Sequence, residues 1–252
     1  MARDTRRDGQ PYHGSPILGL PLTAEDYARL AASNIDRDLA DRALIARVAH
    51  LEGKALVNAR GQSNYAGIEF PYLWPGELNV RGSRLRRDEP EIEVTYTEDG
   101  QEVRKESKKC LAAPGSPNML YFYPETPPEL LMDIRVSIII TEGEKKTLAL
   151  WRLANYNSSE PGFLPIGLSG VWNWRGKIGM AETANGRRRR VMGPIPDLSR
   201  VSWEGRTVLI AFDSDASTNP SIQQARAALA HELRKRGAAS VLYVVVPGRE
   251  HL

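Results

Sequence analysis

The chain has 252 residues, 41% of them apolar and 26% charged, with a formal net charge of +3. That length can bury a real core in one large domain or two small ones. No apolar run approaches 18 residues, and the polar N-terminus is followed by no apolar signal core, so neither a membrane span nor secretion is expected. Cys110 is the single cysteine, which excludes an internal disulfide and a cysteine-based zinc ribbon; the four histidines are scattered without zinc-ligand spacing. A cytoplasmic protein is the expectation.

Residues 1–20 are polar and rich in Gly and Pro, which predicts a flexible arm. From Thr23 to about Leu51, the spacing of Leu30, Leu39, Leu44, Ile45 and Val48 predicts helix, opened by a capping box between Thr23 and Asp26. Segments 65–72 and 80–86 read as strands of a hairpin joined by the turn at Pro75-Gly76-Glu77-Leu78, and 92–96 ahead of Asp99-Gly100 as the start of another. The Pro-rich stretch 114–128 predicts a short strand or packed loop around Met119–Tyr123.

From about Leu130 the texture turns to alternation: strand 136–141, helix 144–156, strand 164–168, strand 207–212, a helix ending near Gly237, and strand 240–246. Ile222, Ala225, Leu229 and Leu233 form the apolar face of that last helix, and Ser217 to Asn219 supply cap candidates ahead of Pro220. Strand–helix–strand repeated twice predicts the α/β class, a parallel sheet flanked by helices with right-handed crossovers. The expected organisation is a flexible arm (1–20), an N-terminal α+β subdomain (21–130) and an α/β domain (131–252) carrying a basic insertion (169–206).

Two acidic clusters end apolar runs: Glu142-Gly143-Glu144 after Ile138–Thr141, and Asp213-Ser214-Asp215 after Val208–Phe212. Open α/β sheets build their sites at the carboxyl ends of strands. Asp213 and Asp215, two apart in extended chain, point the same way. With Glu142 on a neighbouring strand, three carboxylates would face one volume and repel unless a divalent cation such as Mg²⁺ or Mn²⁺ joins them. The alternative is that the two aspartates cap the loop before the Pro220 helix. Glu144 reads as a second ligand or as a first-turn acid suited to the helix dipole. Gly143 permits a tight turn that brings backbone near phosphate; Lys145 and Lys146 either contact phosphate or are solvated.

Residues 171–206 hold eight Lys/Arg against three acids, so the positive charge is concentrated there. Arg187, Arg188, Arg189 and Arg190 form a run that suits a polyanion, or simply a solvated loop. Trp172-Asn173-Trp174-Arg175-Gly176-Lys177 interleaves aromatics with cations, as single-strand contacts do; tryptophans also fill cores. Gly170 to Lys177 is not a phosphate loop, since it has one residue too many before Gly-Lys and Ile178 where Ser or Thr should meet Mg²⁺. Arg84 and Arg86, with Arg81 and Arg87, are further groove candidates, although 81–109 carries eight bases and eight acids and can pair with itself.

Taken together, Glu142-Gly143 and Asp213-Ser214-Asp215, each after a β-run and before a helix, resemble the Toprim domain, the metal-binding fold of bacterial-type primases, topoisomerases and some nucleases. The order Gly67-Ile68-Glu69-Phe70-Pro71, Arg81-Gly82-Ser83-Arg84, Lys109-Cys110-Leu111-Ala112-Ala113-Pro114, Ile140-Thr141-Glu142-Gly143 is similar to the bacterial replicative primase core. Thr141-Glu142-Gly143-Glu144-Lys145-Lys146 and Gly170-Val171-Trp172-Asn173-Trp174 look closer still to Toprim-like domains of phage and plasmid primase–helicase proteins. The resemblance covers roughly residues 23–250. It implies a DNA replication protein of mobile-element origin, with Asp213, Asp215 and Glu142 as metal ligands and Glu142 as catalytic acid/base. Its partners would be single-stranded DNA, nucleotides and a replicative helicase. A metal-dependent nuclease or a non-catalytic nucleic-acid-binding module are the alternatives. Three departures stand out: Lys146 occupies the last place of Glu-Gly-x-x-Asp, no third acidic cluster follows the final strand, and the primase zinc-binding domain is missing.

Overall fold

The computed structural model describes residues 19–97, 99–158, 160–183, 185–213 and 219–245. The chain divides into two compact units. The first comprises the chain to Ala32 together with Asp36–Leu73 and Leu78–Ser116; the second comprises Ser33–Ile35, Trp74–Glu77 and the chain from Pro117.

In the first unit the helical pattern expected from Thr23 to about Leu51 is realised as three short helices with a strand between the second and third. Helix α1 (Ala24–Ala31) opens with the anticipated capping box, Thr23 and Asp26 each accepting from the other's backbone. A second N-cap, Asp36, accepts from Leu39 N at 2.9 Å and starts α2 (Arg37–Arg42). Asn34 and Leu44 take positive φ, which ends each helix. The chain then forms a short strand, β1 (Ala46–Val48), before α3 (His50–Leu56). Helical spacing alone could not reveal these stops, because Asp36 reads equally well as a solvated helix residue.

Strands β2 (Gly67–Tyr72) and β3 (Gly82–Arg87) pair antiparallel as the hairpin anticipated, and β4 (Glu91–Tyr96) pairs with β5 (Glu102–Ser107) in an exposed ribbon. With β6 (Cys110–Leu111), the main sheet runs β1-β2-β3-β6. Arg47 ties its edge together: Nε donates to Asp26 at 2.6 Å and Nη1 to Asp88 at 2.7 Å. Burial works against the Asp26 carboxylate, but the hydrogen bonds from Arg47 and Thr23 outweigh it and hold its pKa below the ordinary value. Of the expected flexible arm, Leu20 instead bridges to Arg47 at the sheet edge; residues 1–18 lie outside the described residues.

The second unit is mixed α/β. Its parallel sheet has the order β12-β11-β7-β8, from β7 (Ile138–Glu142), β8 (Leu164–Leu168), β11 (Thr207–Ala211) and β12 (Ser240–Tyr243). Helix α4 (Glu144–Ala154) links β7 to β8, and α5 (Pro220–Lys235) links β11 to β12. The two crossovers step outward in opposite directions from the centre, so right-handedness places α4 and α5 on opposite faces. Ile138, Ile140, Leu164, Ile166, Val208 and Ile210 are buried in one core with Leu229 and Leu233 of α5. Gly167 allows α4 to approach β8 closely, since a Cβ there would lie 2.3 Å from Thr147 Oγ1.

The Pro-rich 117–130 stretch belongs to this unit rather than to the N-terminal one, contrary to the expected boundary at 130. Leu120 and Phe122 enter the core, Leu120 N donates to the buried Asp197 at 2.9 Å, and Tyr121 bridges to Gly167. The basic insertion is an antiparallel ribbon of β9 (Arg175–Glu182) and β10 (Arg188–Pro194), followed by a 3-10 turn (Pro196–Arg200). Behind it Arg206 is fully buried and donates to the carbonyls of Leu130, Leu131, Val136 and Ser202. Burial pushes its pKa down to about 10, so the guanidinium remains charged at neutral pH. No helix among the described residues is long and apolar enough to cross a membrane.

Candidate functional site

The carboxyl rim of the parallel sheet brings the two acidic motifs to adjacent strands. Register pairs Thr141 with Ala211 and Glu142 with Leu168, so Glu142 ends β7 level with Phe212 and one residue short of Asp213. Strand alternation carries Glu142, half-buried, to the side of Ile140. Asp213, exposed, forms an ion pair with Lys146 in the first turn of α4. Asp215 lies outside the described residues, as do Ser214, Ser217 and Thr218.

Gly143 makes the strand-to-helix turn. Its φ of 89° and ψ of 153° are open to glycine and strained for other residues, and its N–H donates to Leu168 O at 2.7 Å. No side chain caps α4, so the first amides of the helix face the rim as backbone donors. Glu144 sits in that first turn but is only 5% exposed, which removes it from solvent. Burial, followed by the charge of Glu144, pushes the Tyr121 phenol well above its ordinary pKa. Lys145 is half-buried and Lys146 exposed.

The N-cap of α5 is Asn219, whose side chain accepts from Ser221 N at 3.0 Å beside Pro220; the loop that the two aspartates were alternatively expected to cap, 214–218, lies outside the described residues. Strand alternation sets Glu142 on the Ile140 face and Asp213, in phase with Ala211 and paired with Lys146 of α4, on the other. The structure therefore does not bring these two hard oxygen donors, of the kind that suits Mg²⁺ or Mn²⁺, to one volume. Nor is there an all-protein cage: among the described residues no group of three or more His, Cys, Asp or Glu could hold a metal ion.

The aromatic and basic candidates separate by burial. Trp174 is only 5% exposed and belongs to the core, so the expectation that it stacks on a base does not hold; its apolar surface is already covered. Trp172 packs partly buried against that core, with the Arg175 guanidinium 5.8 Å from its ring centre. Lys177, Arg187, Arg188, Arg189 and Arg190 are exposed on the β9–β10 ribbon. Cross-strand pairing sets Arg188 and Arg190 on one face with Glu182 and Met180, and Arg189 on the other with Ala181. Arg84 and Arg86, in the other unit, are half-buried beside β6, donating to Cys110 O at 3.5 Å and to Cys110 Sγ at 3.9 Å. Part of the 81–109 charge pairs internally, as with Lys108 and Glu91 at 2.7 Å.

One feature of the rim escaped the motif reading. A cavity of about 530 Å³ opens between α4 and the end of β11, with Thr141, Lys146, Leu150, Leu153, Phe212 and Asp213 in its walls. Its only sequence signal is Leu153 and Tyr156, apolar residues three apart where a surface helix usually turns polar.

Residues 129–250 match the model of a domain of unknown function, DUF3854. No curated protein matches the chain. No solved structure matches it either.

Proposed function

We propose that the second unit is a Toprim-type domain of a cytoplasmic DNA replication protein, performing primase-like nucleotidyl transfer on single-stranded DNA with a replicative helicase as partner. The observation that carries this reading is the register of β7 and β11, which puts Glu142 and Asp213 on adjacent parallel strands at one rim, beside the uncapped start of α4. Mg²⁺ or Mn²⁺ held by Asp213, Asp215 and Glu142 would supply charge stabilisation at the reacting phosphate. Glu142 would either ligate the ion through water or accept the proton of the 3′-hydroxyl as that oxygen bonds to the α-phosphorus and pyrophosphate leaves, and Gly143 lets backbone amides approach the phosphates. The exposed Arg187–Arg190 run and Lys177 follow the template backbone.

The test is synthesis of a labelled primer from nucleotides on a single-stranded template with Mn²⁺, with and without a helicase partner. Wild-type synthesis that Glu142→Gln and Asp213→Asn abolish supports the reading; no synthesis under any of these conditions refutes it. The ion pair of Lys146 with Asp213 favours one second reading, a non-catalytic nucleic-acid-binding module, because an ammonium already meets that carboxylate. In that case single-stranded DNA binding survives Asp213→Asn unchanged.

A further inference from the structure

Resting on the reading of the basic ribbon as the template-binding element, we propose that single-stranded nucleic acid lies on one face of β9–β10. Its bases cover Met180 and Met192, and its phosphates meet Lys177, Arg188 and Arg190. Register defines that face. Arg188 opposes Glu182, Arg190 opposes Met180 and, past a register shift between Val191 and Met192, Met192 opposes Lys177. Residues 188, 190 and 192 alternate along β10, so these six side chains stand on the same side of the ribbon. On the other side of β10, Val191 is half-buried and Gly193 buried, so at that end the methionine face is the one turned to solvent.

The cations on this face are unspent. Among the described residues, the side chains of Lys177, Arg188 and Arg190 make no hydrogen bond or ion pair, and Glu182, the one acid on the face, does not pair with Arg188 opposite it. Arg188 and Arg190 are two residues apart, about 7 Å along the strand, a step comparable to that between neighbouring phosphates of an extended single strand. A row of cations with so little acid beside it suits a ligand of regular negative charge.

The methionines select among polyanions. Met180 and Met192 are 42% and 47% exposed between those cations. A duplex presents its phosphates but keeps its bases stacked inside, which would leave both thioethers in water. A single strand turns out flat base faces, and methionine sulfur packs favourably against aromatic rings. The unbranched thioether adapts to any base, so this contact carries no sequence preference.

Fluorescence anisotropy of the full chain with a labelled oligothymidylate, competed by inorganic polyphosphate and separately by polyglutamate, tests this. Met180→Thr/Met192→Thr is expected to weaken the oligonucleotide at least about fivefold at every salt concentration, with an unchanged salt slope and polyphosphate affinity within about twofold. Threonine keeps the strand propensity, and circular dichroism checks that the variant folds. Arg188→Ala/Arg190→Ala should instead lower the slope by about 1.4, two phosphates at about 0.7 each. Oligonucleotide binding that the threonines leave unchanged but the alanines weaken overturns the base contact and leaves the ribbon reading standing. An equal loss of polyphosphate in the threonine variant also overturns it, since that chain has no bases. Polyglutamate that competes better than unlabelled oligothymidylate assigns the face to an acidic protein segment instead. Failure of the wild type to bind oligothymidylate overturns both readings.

Discussion

Lys146 of α4 and Asp213 at the end of β11 form an ion pair across the carboxyl rim of the parallel sheet. The two residues come from separate strand–helix units, and only the parallel pairing of β7 with β11 brings them together. In the metal-binding reading this ammonium is a built-in competitor for the cation. Lys146→Met should therefore strengthen Mn²⁺ binding by up to about fivefold, the equivalent of an exposed ion pair of at most about 1 kcal/mol. Calorimetry checks the sign: weaker binding in the variant would make Lys146 a supporting residue rather than a competitor.

Arg206 holds four carbonyls in the second unit with no carboxylate among those partners. Removing it leaves buried acceptors without donors, each costing about 1–3 kcal/mol. Arg206→Met should lower stability by at least about 3 kcal/mol in denaturant unfolding. Arg206→Lys should recover only part, because an ammonium cannot match the fork of a guanidinium.

The Asp26–Arg47–Asp88 cluster makes the first unit acid-sensitive. Asp26 has a folded pKa below its unfolded value, so its contribution is present above the unfolded pKa and is lost as pH falls through the folded one. Stability should thus decline below about pH 4. Asp26→Asn should flatten that decline and cost about 2 kcal/mol at neutral pH. Thermal melts of both proteins between neutral and acid pH read the difference.

Gly167 sets the distance from α4 to β8. Gly167→Ala puts a methyl group against Thr147 Oγ1 and Tyr121 Cβ. A cost of about 1–3 kcal/mol is expected from overpacking. The same shift of α4 should weaken whatever binds at the rim, so melting and binding measured together should fall in parallel.

The sheet strands and both crossover helices were legible because β-branched runs and helical apolar spacing are strong local signals: Ile138–Ile140, Val208–Ile210 and the Leu229/Leu233 face each led to the correct element. Asn219, the cap of α5, was one of the candidates Ser217 to Asn219 that the sequence offered ahead of Pro220. What sequence did not reveal depended on distant contacts. The break before Asp36, the N-cap of α2, takes positive φ at Asn34; the place of Leu120 needs Asp197, 77 residues away. Trp174 shows the limit from the other side, since alternating aromatics and cations fit an exposed strand and a core edge equally well. At the rim, Glu142, Gly143 and Asp213 were readable from strand ends, whereas the Lys146 ion pair and the groove beside it arise only from tertiary packing.

The exposed Arg run should act through charge alone. For single-stranded DNA each neutralised phosphate contributes about 0.7 to the salt slope of the binding constant. Replacing Arg188, Arg189 and Arg190 by Ala should lower that slope by up to about 2, at equal cost on every template sequence. Fluorescence anisotropy over a salt series measures it.

The most direct measurement is a calorimetric Mn²⁺ titration of the wild-type chain beside Asp213→Asn. Saturable binding in the wild type that falls at least tenfold in the variant is the expected result. Equal heats in the two proteins, or no binding in either, would contradict a dication held at the ends of β7 and β11.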